Sequence, residues 1–240
     1  MHPEIKVMIS GGFSAVYRVL VPDFERATGN KVTTAFGSSM GTTHDAIPLR
    51  VARGEPGDVL IMVGYALDNL IKQGKVAADG RVDLARSSIG MAVRAGAPRP
   101  DIGSVDALKR TLLAAESIAY SDSASGAYVG TDLFQRLGVA DEMKGKSRMI
   151  LAEPVGQVVA RGEAEIGFQQ ISELLPVRGI DLVGALPPEV KKITVFSAGI
   201  ATTAQEPAGA KALIQFLSSP AAAPVLIKGG LEPMAAAERT

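Results

Sequence analysis

Residues 5–29, IKVMI-SGGFS-AVYRVLVPDFERATG, set the reading of the whole chain. A short apolar run leads through a Gly/Ser loop into a stretch where Val16, Leu20, Phe24 and Ala27 recur at helical spacing, and Gly29 is placed to end it. The same unit comes twice more. KVTTAF (31–36) is followed by GSSMGTT (37–43) and a helix HDAIPLRVARG closing at Gly54, and DVLIMV (58–63) is followed by Gly64 and the helix ALDNLIKQG. Val- and Ile-rich runs alternating with helical stretches are the pattern of parallel strands buried on both faces and joined by helices, so the class is α/β.

Around RSSIGMAVRA (86–95) the sequence reads as an extended segment entering a new set of elements. These are the helix SVDALKRTLLAA, strand SIAY, loop SDSASGA (121–127), helix YVGTDLFQRLG, strand RMILA, helix PVGQVVARGE and strand EIGFQQ (165–170). DLVGAL and KKITVFSAGI then carry the chain back to two C-terminal helices. The expected organisation is two α/β lobes joined by two crossover segments, residues 1–85 plus 196–240 forming a discontinuous first lobe and 86–195 the second.

Composition excludes much chemistry. The 240 residues balance 25 Lys+Arg against 25 Asp+Glu and hold no Cys, which removes thiol nucleophiles, disulfides and cysteine-ligated metals and makes nucleic acid an unexpected partner. With two histidines, His2 and His44, a multi-histidine metal centre is excluded, and neither metal nor cofactor is expected. The sequence offers no run of the roughly 18–20 apolar residues that a membrane span needs, so no direct membrane insertion is expected. After Met1 the chain enters its first strand without an apolar leader, so the expected location is periplasmic if a leader has been removed and cytoplasmic if Met1 is the native start.

Three loops of one design precede helices: SGGFS, with Gly11, Gly12, Phe13 and Ser14; GSSMGTT, with Ser38, Ser39, Met40 and Gly41; and SDSASGA, with Ser123, Ser125 and Gly126. Free N–H groups at a positive helix end, glycines that admit close approach and uncharged hydroxyls make each a candidate anion seat at the carboxyl end of a strand. The same residue types also cap helices and form turns. Gln169 and Gln170 end a strand, where alternation sends one amide to each face; amides suit carboxylates and hydroxyls, and a polar strand end is the plainer alternative. His44, placed in the first turn of the second helix, is the candidate imidazole base or else a solvated histidine. Glu153 opens a helix with Pro154 and reads as a first-turn acid.

The ordered set FSAVYRVLVPDFERATGNKV, AFGSSMGTT, RGEPGDVLIMV, DSASGAY and VVARGEAEIGF resembles the periplasmic molybdate-binding proteins of ABC transporters and their relatives over nearly the whole chain. The resemblance implies a type II periplasmic-binding-protein fold with a ligand cleft between two lobes, and a membrane permease as partner. Carried over by position, the family's first-loop serine falls near Gly12 with Ser14 close by, its second on Ser39, its third-loop contact on Ser125 and Gly126, its fourth-loop backbone contact near Pro154 and Val155, and its tyrosine near Gln170. Gly12 and Gln170 depart from the pattern, which implies a larger, carboxylate-bearing anion in place of molybdate or tungstate. Relatives in the superfamily are similar to citrate-binding surface proteins and to aconitate isomerase, an enzyme that moves a double bond in a tricarboxylate. The expected function is capture of a small organic anion for transport. The alternative is an isomerase on the same scaffold, with His44 and then Glu153 as its candidate bases.

Overall fold

A computed structural model describes residues 4–234; His2 lies outside the described residues. The chain divides into two compact units, one running to Ser87 and resuming at Val195, the other Ser88–Thr194.

In the first unit, β1 (Glu4–Ile9), α1 (Gly11–Thr28), β2 (Lys31–Phe36), α2 (Ile47–Ala52), β3 (Val59–Val63) and α3 (Gly64–Lys72) follow in turn. β1 lies between β2 and β3 and is parallel to both, pairing Ile5 with Val32 and Val7 with Val59. β3 is buried along its whole length and α1 buries Phe13, Val16, Tyr17, Leu20 and Phe24, as sequence spacing requires of a sheet covered by helices. α1 ends at Gly29, whose φ of 74° lets its N–H turn back to the Glu25 carbonyl. Asp58 anchors the start of β3: its carboxylate is buried and accepts the backbone N–H groups of Lys6, Gln205 and Glu206.

β4 (Val82–Arg94) carries the chain into the second unit. There α4 (Val105–Ala114) starts at Ser104, whose hydroxyl accepts from Ala107 N–H, and β5 (Ile118–Ser121) follows. A continuous helical stretch comes next: α5 (Ala124–Ala127), a π-helical turn Tyr128–Leu133 and α6 (Phe134–Arg136). α7 (Ala140–Met143), β6 (Ser147–Ile150), α8 (Val155–Ala160), β7 (Ile166–Gln170), α9 (Ile171–Leu174) and β8 (Ile180–Ala185) complete it. β5 is parallel to β6 and β7, while β4 runs antiparallel to β7 on one side and to β8 on the other. The core here centres on Met91, Ile118, Leu133, Phe134 and Phe168.

β9 (Ile193–Ile200) returns the chain, and its later residues pair antiparallel with β3, Val63 opposite Phe196. α10 (Pro207–Leu217), α11 (Ala223–Lys228) and β10 (Glu232–Pro233) follow, β10 pairing with β4 at Arg86.

Four boundaries differ from the sequence reading. α2 begins at Ile47, where His44 was expected to be helical, because Pro48 lacks an N–H and its ring collides with a helical carbonyl four residues earlier. Helices claim two expected loops: α1 starts at Gly11 inside SGGFS, and α5 at Ala124 inside SDSASGA. Residues 140–143, between the helix YVGTDLFQRLG and the strand RMILA, form α7, which the sequence reading did not include.

Candidate functional site

Each unit gathers polar donors at the carboxyl ends of its parallel strands. In the first unit, α1 springs directly from β1. Its N-cap Ser10 is 3% exposed, and its Oγ has no hydrogen-bond partner among the described residues. A buried hydroxyl at the N-terminus of an 18-residue helix has the chemistry to donate to an anion. Ser14 Oγ donates to the Gly11 carbonyl at 2.8 Å, so it serves the helix turn. Gly12 is required by packing: a Cβ there would lie 2.1 Å from Cζ of the buried Phe196 ring. A serine at this position, as in the molybdate-binding pattern, would require the Phe196 ring to shift. Phe13 is buried core.

The loop after β2 is built around Ser39, whose buried Oγ accepts Val63 N–H at 2.9 Å and so ties the end of β2 to the end of β3 while its own hydrogen stays available. Ser38 donates to the Met40 carbonyl, the Tyr65 hydroxyl reaches Met40 Sδ at 3.5 Å, and Gly41 takes a φ of 105°. His44 is exposed in the turn beyond, with its carbonyl accepting from Arg53.

In the second unit the SDSASGA segment is a hydroxyl cluster. Ser121 Oγ lies 3.0 Å from both Ser123 Oγ and Ser125 Oγ, with Ser125 fully buried. Gly126 is obligatory because a Cβ would stand 1.6 Å from the Ser121 carbonyl oxygen. After β6, Ala152 adopts a φ of 58°, a left-handed conformation costing about 1–2 kcal/mol, which turns the chain toward Pro154 and α8. Glu153 accepts from both terminal guanidinium nitrogens of Arg161, at 3.1 and 3.2 Å. The Val155 N–H, which the family pattern would aim at a ligand, donates instead to Gln169 Oε1 at 3.0 Å.

Sequence alternation assigned one glutamine to each face, and the structure buries both. Gln169 is a bridge, its Nε2 donating to Glu173 Oε1 at 3.0 Å. Gln170, 2% exposed, donates through Nε2 to Thr194 Oγ1 at 2.8 Å, and its Oε1 has no partner among the described residues. Glu173 was missed in the sequence, where it reads as one residue of a helix start. Burial pushes its carboxyl up to about 7, the nearby Asp122 charge adds to that, and the Gln169 amide and Gln170 backbone N–H pull the other way. The available signal was its position three residues after the N-cap, set among Ile171, Leu174 and Leu175.

The structure thus gathers Ser39, Ser125, Gly126, Val155, Gln169 and Gln170 at strand ends within their own units, and leaves His44 and Glu153 exposed beside them. Among the described residues no three His, Asp or Glu side chains come together to hold a metal ion.

A profile of the family described as bacterial extracellular solute-binding protein matches residues 5–232. The chain is 51% identical over 232 residues to the aconitate isomerase of Pseudomonas sp, an alignment spanning 97% of this chain and 88% of that protein. It is 25% identical over 233 residues to the molybdate-binding protein ModA of Azotobacter vinelandii, spanning 93% and 87%. Among solved structures, the periplasmic molybdate-binding protein of Azotobacter vinelandii is similar with a TM-score of 0.76 at 21% identity, covering 96% of this chain and 100% of that one. That likeness shows the type II periplasmic-binding-protein fold that the resemblance implied.

Proposed function

Since the chain belongs to the bacterial extracellular solute-binding protein family, we propose that it binds a small polycarboxylate and isomerises it, with aconitate as the substrate. The observation that carries this reading is the 51% identity to an aconitate isomerase along nearly the full chain, well above the 25% identity to a molybdate-binding protein.

The local chemistry supports the same direction. Phe196 occupies the space that a side chain at position 12 would need, and an amide stands at Gln170, so both departures from the molybdate pattern are built into packed surroundings. The donors on offer are hydroxyls and an amide: Ser10, Ser39, the Ser121–Ser125 cluster and Gln170, whose free oxygen also accepts from a hydroxyl or a protonated carboxyl. Neutral donors hold carboxylates by hydrogen bonds to the anion and release product more readily than a bidentate arginine would. The isomerisation needs no oxidant, reductant or cofactor. It needs a base that removes a carbon-bound proton and an acid that returns one at the other end of the allylic system.

The test is proton NMR of the purified protein with trans-aconitate and, separately, cis-aconitate. Interconversion to one common ratio from both sides is the expected result, and binding without interconversion overturns the isomerase reading. Family membership favours one second reading, capture of the organic anion in the periplasm for delivery to a membrane permease, and that outcome would leave it standing.

A further inference from the structure

The isomerase reading calls for a base, and neither imidazole nor exposed acid is well placed to be one. Glu153 and Glu163 are both engaged in ion pairs with Arg161, and the Arg161 hydrogen bond holds the Glu163 carboxyl below its ordinary range, which weakens it as a base. His44 is exposed in a turn. Glu173 differs from all three. It stands just past the carboxyl end of β7, beside the β5–α5 segment that carries Asp122 and beside the start of α8, and no arginine or lysine binds it among the described contacts.

Its orientation is imposed by the backbone. Val155 N–H donates to Gln169 Oε1, so the amide has one possible sense and must present its Nε2 to Glu173 Oε1. Gln170 backbone N–H gives a second bond, as in a capping box. A capping acid alone needs neither the buried amide bridge nor a neighbouring carboxylate. The elements packed against α9 are β7, β8 and α8, and the charged group acting on Glu173 is Asp122, from the segment after β5.

We propose that Glu173 is the catalytic base of the isomerisation, with Gln169 as its positioning residue; this rests on the isomerase reading above. A Glu173 carboxylate oxygen takes a proton from the substrate methylene, and the C–H electron pair delocalises over the allylic carbons and the adjoining carboxylate. The resulting carboxylic acid returns the proton to the former vinylic carbon, the double bond shifts by one position, and atoms and electrons balance without a co-reactant. Burial that holds the carboxyl near neutrality suits both halves of that cycle.

The experiment follows turnover of trans-aconitate, deuterium incorporation from D2O and the ligand-induced thermal shift in wild type, Glu173→Gln and Glu173→Asp. Glutamine can still accept both N–H bonds, so a purely structural cap predicts normal activity. The expected result is turnover and exchange reduced roughly 100- to 10,000-fold in Glu173→Gln with the thermal shift retained, more activity in Glu173→Asp, and a wild-type rate that rises with pH about an apparent pKa of about 7. Turnover in Glu173→Gln within threefold of wild type overturns the assignment and leaves the isomerase reading intact. Loss of the thermal shift together with turnover also overturns it, because a base acts on substrate already bound. An inactive wild type overturns both.

Discussion

Replacing Glu173 by glutamine should stabilise the protein at pH 8 and leave it nearly unchanged at pH 4.5. The carboxyl ionises near its ordinary 4.5 in the unfolded chain and at about 7 in the fold, where burial disfavours its charge. Between those values the folded state binds more protons than the unfolded chain, so the stability owed to this group is complete below 4.5 and is lost as pH rises through 7. At about 1.4 kcal/mol per pH unit the full difference is about 3.5 kcal/mol, and the partial exposure of the residue screens it to about 2–3 kcal/mol. The glutamine variant lacks that ionisation. Its advantage over wild type should grow from near zero at pH 4.5 to about 2–3 kcal/mol at pH 8, or about 4–12 °C in unfolding midpoint for a chain of this length. Paired thermal and urea unfolding of both proteins at pH 4.5, 6 and 8 measures it, and general acid effects cancel in the difference. A difference that stays constant across pH, or a variant less stable at pH 8, would refute the claim that this carboxyl is held out of water.

Gly126→Ala forces a methyl against the Ser121 carbonyl, so it should cost about 3 kcal/mol or more in urea unfolding and displace the Ser121–Ser125 hydroxyl pair, abolishing the thermal shift with trans-aconitate. Gly12→Ser restores the hydroxyl of the molybdate-binding pattern but collides with the Phe196 ring, so it should lower stability by about 1–3 kcal/mol; in a double-mutant cycle with Phe196→Ala the two changes should couple favourably by about 1 kcal/mol. Asp58→Ala leaves the backbone N–H groups of Lys6, Gln205 and Glu206 without their shared carboxylate and should destabilise by about 3 kcal/mol, and Asp58→Asn should retain part of that in chemical denaturation.

Strand and helix identity was legible over most of the chain because burial leaves a local trace. β3 is buried on both faces and reads as an uninterrupted apolar run, while α1 is buried on one stripe and reads with helical period. Glycine punctuation was equally direct at Gly29, where a left-handed cap is written in one residue. Helix starts were less legible. Pro48 moved the beginning of α2 to Ile47 and took His44 out of the helix, a local rule that the apolar pattern had masked.

The candidate site divides along the same line. Sequence placed Ser39, Ser125 and Gly126 at strand ends, since Gly/Ser loops between a buried strand and a helix advertise themselves by composition. Sequence could not show that Phe196 fills the space above Gly12, because those residues are 184 positions apart and meet only when β9 returns. Nor could it show that Val155 N–H, Gln169 and Glu173 form one chain of hydrogen bonds. Composition and period determined the α/β class and the loops where chemistry gathers, for both depend on neighbours along the chain. Tertiary structure decided which donors are already spent and which carboxyl is withdrawn from water, because desolvation and hydrogen-bond satisfaction depend on neighbours in space.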